Sequence, residues 1–208
     1  GLSSFKLKGR TVSVVTDPYD SAMLGIKFPK VDADIVTISH DHPDHNKFDQ
    51  VTLTKKIISG PGEYELGGVS VIGLPSFHDD KKGSLRGKNT IYVIEIDRIR
   101  IVHLGDLGHT LEDKLIENIG SVDILFIPTG GDYTIGPKEA VMVVLSLEPK
   151  IVIPMHYKSD EMKGDMWAKL SSVEEFVSQA SLPIEKVAKF VIKKEDLTDE
   201  QKVVIFEK

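Results

Sequence analysis

Three imidazoles and two carboxylates fall within the seven residues Ser39-His40-Asp41-His42-Pro43-Asp44-His45. Imidazole and carboxylate are the donors that hold zinc and neighbouring divalent cations. The segment directly follows the apolar run Asp34-Ile35-Val36-Thr37-Ile38, which places it at the end of a buried strand. In extended chain His40 and His42 point to one side, and Pro43 biases His42 towards extended backbone. The turn beyond can return Asp44 and His45 to the same centre. One loop then offers two imidazoles to a first cation, and an imidazole with a carboxylate to a second. A solvated polar loop is the plain alternative, but it does not account for so many donors immediately after an apolar strand.

Three further donors occupy comparable places. His78 follows Val71-Ile72-Gly73-Leu74-Pro75-Ser76-Phe77, Asp106 follows Ile101-Val102-His103-Leu104-Gly105, and His156 follows Ile151-Val152-Ile153-Pro154-Met155. Each is the first strongly coordinating group after an apolar strand, His103 inside the second run apart. Strand ends that converge on one edge commonly form active sites, so the set is more telling than its members. Gly105 beside Asp106 permits close backbone approach.

The elements that must position these groups are short. Residues 11–15, 35–38, 56–58 and 69–74 read as strands from β-branched enrichment. Residues 91–96 and 99–104 read as a hairpin turning at Asp97-Arg98, although that dipeptide lacks the usual glycine. Residues 124–127 and 151–153 are buried-strand runs, and 187–192 and 203–206 are expected to close the structure as strands. Helices are predicted from Thr110 as N-cap, from Pro137 at a first helical position to about Leu147, and from a capping box at Ser172-Val173-Glu174-Glu175. Sheets with helices packed outside are expected.

The chain has 208 residues, 40% hydrophobic content and no composition break or linker, which suits one domain over residues 1–208. The formal net charge is −6 with both signs interspersed, so no basic stripe of the kind that binds nucleic acid is evident. No apolar run long enough to span a membrane is present, and no membrane partner is expected. The absence of cysteine excludes disulfides, thiolate metal sites, Fe–S clusters and thiol nucleophiles, and fits a cytoplasmic setting. Any metal site must therefore be built from His and carboxylates.

The motif His40-x-His42-x-Asp44-His45, followed in order by His78, Asp106 and His156, resembles the metallo-β-lactamase superfamily over nearly the whole chain. The stretches 103–109, 127–131 and 153–157 are similar to the branch of zinc-dependent hydrolases that includes L-ascorbate 6-phosphate lactonase. The resemblance implies an α+β fold, a four-layer αββα sandwich with the site along one edge. It implies that His40, His42 and His78 bind one metal, that Asp44, His45 and His156 bind a second, and that Asp106 bridges both. Asp17 matches an early motif aspartate that supports the loop rather than ligating; it reads equally as a turn residue before Pro18. The resemblance also implies a strand ahead of Ser3-Ser4-Phe5, so the first strand is expected to be truncated or lost. Many true β-lactamases use Cys at the second metal, so antibiotic hydrolysis is not the first expectation.

The expected cofactors are two divalent ions, zinc first, with Mn or Fe as alternatives. Two cations about 3.5–4 Å apart lower the pKa of a shared water towards about 7 and polarise a carbonyl or phosphoryl oxygen. The expected reaction is hydrolysis of a small ester, lactone or phosphoester, with Asp44 and His109 as the catalytic candidates. His109 lies three positions after Asp106 at a helix start, where it either donates a proton or helps to cap the helix. His103 reads as an interior histidine, and Asp41, Asp79 and Asp80 either support ligand imidazoles or are exposed loop charges, with exposure favoured for Asp79 and Asp80. Arg86, Lys88 and Asn89 belong to a mobile basic loop after His78 that either holds an anionic substrate group or is simply a solvated turn. Gly130-Gly131 suggests a tight loop near the site, and Met166 with Trp167 either a lid or a packed surface aromatic. Competing functions are a nuclease of the same fold, a two-iron redox protein and a non-catalytic binding module. The lack of a basic surface, the presence of His42 where redox members carry Glu, and the intact donor set weigh against these in turn.

Overall fold

The computed structural model describes residues 2–162 and 164–207. Among them the strands form two main sheets. The smaller has the order Lys6–Lys8, Ser13–Thr16, Ile35–Ile38, Lys56–Ser59. The larger has eight strands in the order Ile184–Val187, Lys202–Phe206, Ile151–Met155, Ile124–Pro128, Ile99–His103, Lys88–Ile96, Val69–Phe77, Gly62–Leu66. Adjacent residues on the small sheet face opposite ways, as a period of two requires. Val14, Ile35 and Ile58 pack into the space between the sheets against Tyr92, Ile94, Ile101, Phe126 and Ile153. Val15, Val36 and Ile38 face outwards, where the short helix Ser21–Leu24 contributes Leu24 and the 165–170 segment contributes Trp167 and Leu170. On the far side of the large sheet, helices Asp113–Ile119, Pro137–Leu147 and Val173–Ala180 bury Ile119, Val143, Val144 and Phe176 against Val93, Val102, Leu125 and Val152. The layers run helix, sheet, sheet, helix, the helical layer on the small sheet being thin, which is the four-layer αββα sandwich expected from the sequence.

Strand direction determines where the site can form. Ser13–Thr16, Ile35–Ile38 and Lys56–Ser59 are mutually parallel. In the large sheet Ile99–His103, Ile124–Pro128 and Ile151–Met155 are parallel, and Val69–Phe77 runs with them because two antiparallel pairings separate it from Ile99–His103. The strands that precede the candidate donors in each sheet therefore end at a common edge of that sheet.

Several boundaries differ from expectation. The helix expected from Thr110 begins at Asp113 with Glu112 as N-cap. His109 Nδ1 bonds the Thr110 carbonyl at 2.7 Å and engages that residue outside the helix. The strand expected over 187–192 is Ile184–Val187 instead, while Phe190 and Ile192 pack against the inter-sheet core without joining the ladder. Gly62–Leu66 was not anticipated; its Glu63 and Glu65 are exposed on an edge strand, where charge discourages further pairing. The Asp97-Arg98 hairpin forms without glycine, both residues taking positive φ (50° and 67°), and Asp97 Oδ2 accepts the Arg10 amide at 2.9 Å. The Pro137 helix and the Ser172 capping box are as expected.

Two side chains tie the framework at opposite ends. Tyr92, fully buried on the large sheet, donates its hydroxyl to the Ile38 carbonyl at 2.8 Å and accepts the Gly60 amide at 3.0 Å. We expect Tyr92→Phe to lower unfolding free energy by about 1–3 kcal/mol, because the amide and carbonyl lose their partner. A urea midpoint that did not move would show the tie to be idle. At the other end Asp34 accepts the Ser13 amide at 2.9 Å, the Ser13 hydroxyl at 3.1 Å and Lys55 Nζ at 2.8 Å. Lys55, then the Ser13 amide, holds the Asp34 carboxyl down from the usual 3.8 to about 2. A depressed carboxyl stabilises the fold above its ordinary pKa, and that contribution is lost as pH falls through the folded value. Stability should therefore decline between about pH 4 and pH 2 more gently in Asp34→Asn than in the parent, as followed by circular dichroism.

Candidate metal centre

The loop after Ile35–Ile38 bends over residues 39–42 and then makes the anticipated turn, with the His45 amide on the His42 carbonyl at 2.9 Å and the Asp20 amide on the Pro43 carbonyl at 2.9 Å. The turn still brings the imidazoles together: the His40 and His42 ring centroids are 4.5 Å apart, and His40 Nε2 lies 2.9 Å from His42 Nδ1. His78 joins them from the end of Val69–Phe77, with its ring 4.7 Å from that of His40. Asp44, His45, Asp106 and His156 form a second group, and in each group the donor atoms lie within 4.8 Å of one another. All seven residues anticipated as metal ligands are thus gathered in two adjoining clusters.

Asp106 is the meeting point. Its Oδ2 lies 3.2 Å from His45 Nε2, 3.2 Å from His156 Nε2, 3.3 Å from His78 Nε2 and 3.8 Å from His40 Nε2. Donors bound at about 2.0–2.1 Å to a tetrahedral cation sit roughly 3.3 Å from one another. The separations are those of a ligand shell. Asp106 Oδ1 and His45 Nε2 are buried with no hydrogen-bond partner among the described residues. An unpaired buried polar atom costs about 1–3 kcal/mol, more when charged, and a cation between the clusters would relieve both. The donor set fits divalent metal.

The outer nitrogens are held by a short relay. Asp17 Oδ2 lies 2.8 Å from His45 Nδ1, and Asp17 accepts the Ser39 amide at 2.8 Å and the Ser39 hydroxyl at 2.6 Å. The Ser39 hydroxyl in turn lies 3.0 Å from His40 Nδ1. Both rings are thereby fixed with Nε2 pointing inwards, as ligand imidazoles require. Asp17 (φ 39°) and His156 (φ 50°) both adopt left-handed backbone where their strands end. Such conformations persist only when surrounding contacts enforce them. Asn89, buried on the Lys88–Ile96 strand, links the ends of its two neighbouring strands, Val69–Phe77 and Ile99–His103. Its Oδ1 accepts the Asp106 amide at 3.0 Å, and its Nδ2 donates to Ser76 Oγ at 2.8 Å and the Leu104 carbonyl at 2.9 Å. Gly105 (φ 57°) has no room for a Cβ, which would stand 2.4 Å from Asn89 Oδ1 and 2.5 Å from Ser39 Cβ.

Charge divides the site into two halves. Burial, then the neighbouring His45, pushes His40 down to about 3, and burial, then His78, lowers His42. These two rings are held neutral, the state that ligates metal. In the other half burial opposes charge but is outweighed. Asp106 is driven well below the usual carboxyl range by His156 and His45, while Asp106 and Asp44 raise His45. That half demands positive charge, from protons or from a cation.

A model of the β-lactamase superfamily domain matches residues 1–156. A UPF0173 metal-dependent hydrolase of Methanocorpusculum labreanum is 32% identical, covering 69% of this chain and 77% of its own. Another, from Thermococcus onnurineus, is 29% identical over 76% and 83%. The crystal structure of a Thermotoga maritima protein, assigned as a Zn-dependent hydrolase of this superfamily, is 37% identical with a TM-score of 0.77 and covers 99% of this chain and 95% of its own. The chain belongs to the metallo-β-lactamase superfamily. Within it, it is a member of the UPF0173 metal-dependent hydrolases.

The remaining residues singled out in this hydrolase fall into place differently. His109 is not brought into the donor clusters. Its Nε2 accepts the Phe77 amide at 3.2 Å while Nδ1 is on the Thr110 carbonyl, so both ring nitrogens are committed to backbone. It lines a separate, wider cavity of about 730 Å³ beside Phe77 and Thr110. His103 is an interior histidine between the Ser3 carbonyl (2.8 Å) and the Gly105 amide (3.2 Å). Asp79, expected to be exposed, is buried and accepts the amides of Lys81, Gly83, Leu85 and Arg86 at 2.7–3.0 Å. Asp80 is exposed beside Lys81, and Asp41 bonds Asn46 rather than an imidazole. The loop after His78 is therefore clamped rather than free. Asn89 and Lys88 do not belong to it but open the following strand, with Asn89 inside. Gly130 packs against the His156 carbonyl, where a Cβ would stand 2.1 Å away. Trp167 is buried and, with Met23, Tyr133 and Met166, walls a cavity of about 300 Å³ over His42, Asp44, His78, Asp106 and His156.

Sequence reading missed Ser39, Asn89 and Asp79 as organisers. Asparagine is depleted in strands, so Asn89 ahead of Thr90-Ile91-Tyr92-Val93 was the available signal. We expect Asp17→Asn to lower metal affinity roughly 10–100-fold, because the His45 and Ser39 bonds lose their charge. Competition with a chelator measures this. Undiminished affinity would show that the relay does not orient the ligands.

Proposed function

We propose that this chain is a dinuclear metal hydrolase acting on a small ester, lactone or phosphoester. His40, His42 and His78 would hold one divalent cation, Asp44, His45 and His156 a second, and Asp106 would bridge them. The single observation that carries this reading is the convergence of four imidazole Nε2 atoms within 3.2–3.8 Å of one buried carboxylate oxygen. Five imidazoles and two carboxylates, without thiolate, favour zinc, with manganese and iron as alternatives. When bound, the cation pair supplies Lewis acidity and lowers the pKa of water towards about 7.

The chain's own residues do the rest. Asp17 and Ser39 hold the outer nitrogens of His45 and His40, so that the inner nitrogens are aimed at the centre. Asp44, at the floor of the cavity, is assigned the proton released as water attacks, taken up at a carboxylate oxygen. Trp167, Met166, Met23 and Tyr133 restrict access, and a cavity of about 300 Å³ suits a small molecule. Among the described residues no helix is long and apolar enough to cross a membrane. The similarity to the branch that includes L-ascorbate 6-phosphate lactonase puts sugar lactones and phosphate esters first in a substrate panel.

Asp106→Ala and His42→Ala should each lose at least one metal equivalent by elemental analysis. Their kcat/KM on any substrate found should drop by more than the roughly 10–100-fold typical of a lost supporting hydrogen bond. Full metal content and turnover in both variants would overturn the assignment.

A further inference from the structure

Arg86 is the cationic side chain lining the metal cavity, alongside Met23, Tyr133, Met166 and Trp167. Its backbone is fixed: the Arg86 amide donates to buried Asp79 Oδ2 at 2.7 Å and the Leu85 amide to the same atom at 3.0 Å. The His78 amide donates to the Gly87 carbonyl at 3.1 Å, which ties the loop directly to a candidate ligand. The Asp79 carboxylate also accepts the Lys81 amide at 2.8 Å and the Gly83 amide at 2.9 Å, so four amides fix the loop. Among the described residues the Arg86 guanidinium has no carboxylate within salt-bridge distance. It stands instead over the Tyr133 ring, 5.1 Å from the centroid, and the Tyr133 hydroxyl is anchored on the Met166 carbonyl at 3.1 Å.

A guanidinium held over an aromatic face by cation–π attraction spends no N–H donor on that contact, and its fork of donors matches carboxylate and phosphate oxygens. A half-buried arginine with no carboxylate partner, in the wall of a cavity over candidate cation sites, is placed to receive an anion. The cavity is near the low end of the range for ligand sites, roughly 300–1,000 Å³, so a molecule resting on the metal donors also reaches Arg86.

We propose that Arg86, lying over Tyr133 and positioned by Asp79, is a substrate-anion subsite, and that the hydrolysed substrate carries a carboxylate or phosphate group besides its scissile bond. This rests on the hydrolytic reading of the same cavity. Arg86 acts on binding and specificity and takes no part in bond cleavage.

The test uses the metal-loaded full chain, with the single tryptophan, Trp167 in the cavity wall, as reporter and calorimetry in parallel. Inorganic phosphate and acetate are titrated into the parent, Arg86→Gln and Arg86→Lys. Saturable binding of at least one anion to the parent is expected, weakened at least about tenfold in Arg86→Gln, the loss of one charge-assisted hydrogen bond. Arg86→Lys, which keeps the charge and loses the fork, should fall between. Tighter phosphate than acetate marks a phosphoryl substrate, and the reverse marks a carboxylate. Equal affinities in the parent and Arg86→Gln, or no binding of either anion to the parent, would overturn the proposal. Paired esters separate it from the hydrolytic reading. The ratio of kcat/KM for mono-(4-nitrophenyl) succinate to that for 4-nitrophenyl acetate should fall at least about tenfold in Arg86→Gln. Turnover with an unchanged ratio sinks the anion subsite and leaves hydrolysis standing. Anion binding that depends on Arg86, with no turnover of any ester, lactone or phosphoester of the panel, sinks hydrolysis and leaves the subsite.

Discussion

A carboxylate can be buried only if positive charge or strong donors surround it, because removing it from water costs many kcal/mol. Asp106 is almost fully buried, with one oxygen unpaired and the other ringed by four imidazole nitrogens. Much of the molecule near the open edge of the sandwich can be understood as the apparatus that makes this placement tolerable. The imidazoles come from three separate loops, each leaving a strand that runs in the same direction as the strand bearing Asp106 or belongs to the facing sheet.

Holding three loops to ligand-shell tolerance requires rigid partners behind them, and these are polar groups in an otherwise apolar interior. Asn89 joins the Ser76 hydroxyl to the Leu104 and Asp106 backbones, Asp17 joins Ser39 to His45, and Asp79 gathers four amides of the loop that follows His78. Each is nearly fully satisfied by hydrogen bonds, so each specifies a geometry without leaving orphaned charge. The left-handed backbone at Asp17 and His156 and the Cβ-free approach at Gly105 belong to the same arrangement.

The electrostatics then follow from position. Where imidazoles crowd one another in a dry environment, as at His40 and His42, protonation is disfavoured. Where carboxylates crowd an imidazole, as around His45, positive charge is favoured. A cation placed between the halves would answer both tendencies at once, and Arg86 at the wall extends the cationic character towards the space a substrate would fill.

The donor residues and their order were legible in the sequence, because the loops carrying them directly follow apolar strands and carry an unusual density of His and Asp. The sandwich layers were legible from strand patterns and from the resemblance those donors carry. Helix starts at Pro137 and Ser172 were legible because capping is local chemistry. What only the tertiary structure decided was where each polar group faces. His109 and His78 look alike as histidines after strands or beside an aspartate, yet one is spent on backbone and the other joins the cluster. Asp79 and Asp80 are neighbours of identical type, yet one is a buried hub and the other a surface charge. Asn89 reads as the end of a loop and lies inside a sheet. For Asn89 and His103 the deciding partners lie 15 and 100 positions away, as in the Asn89–Leu104 and His103–Ser3 bonds, and local spacing carries no record of them. For Asp79 the partners are amides of its own loop, brought round only when that loop closes on the end of the Val69–Phe77 strand.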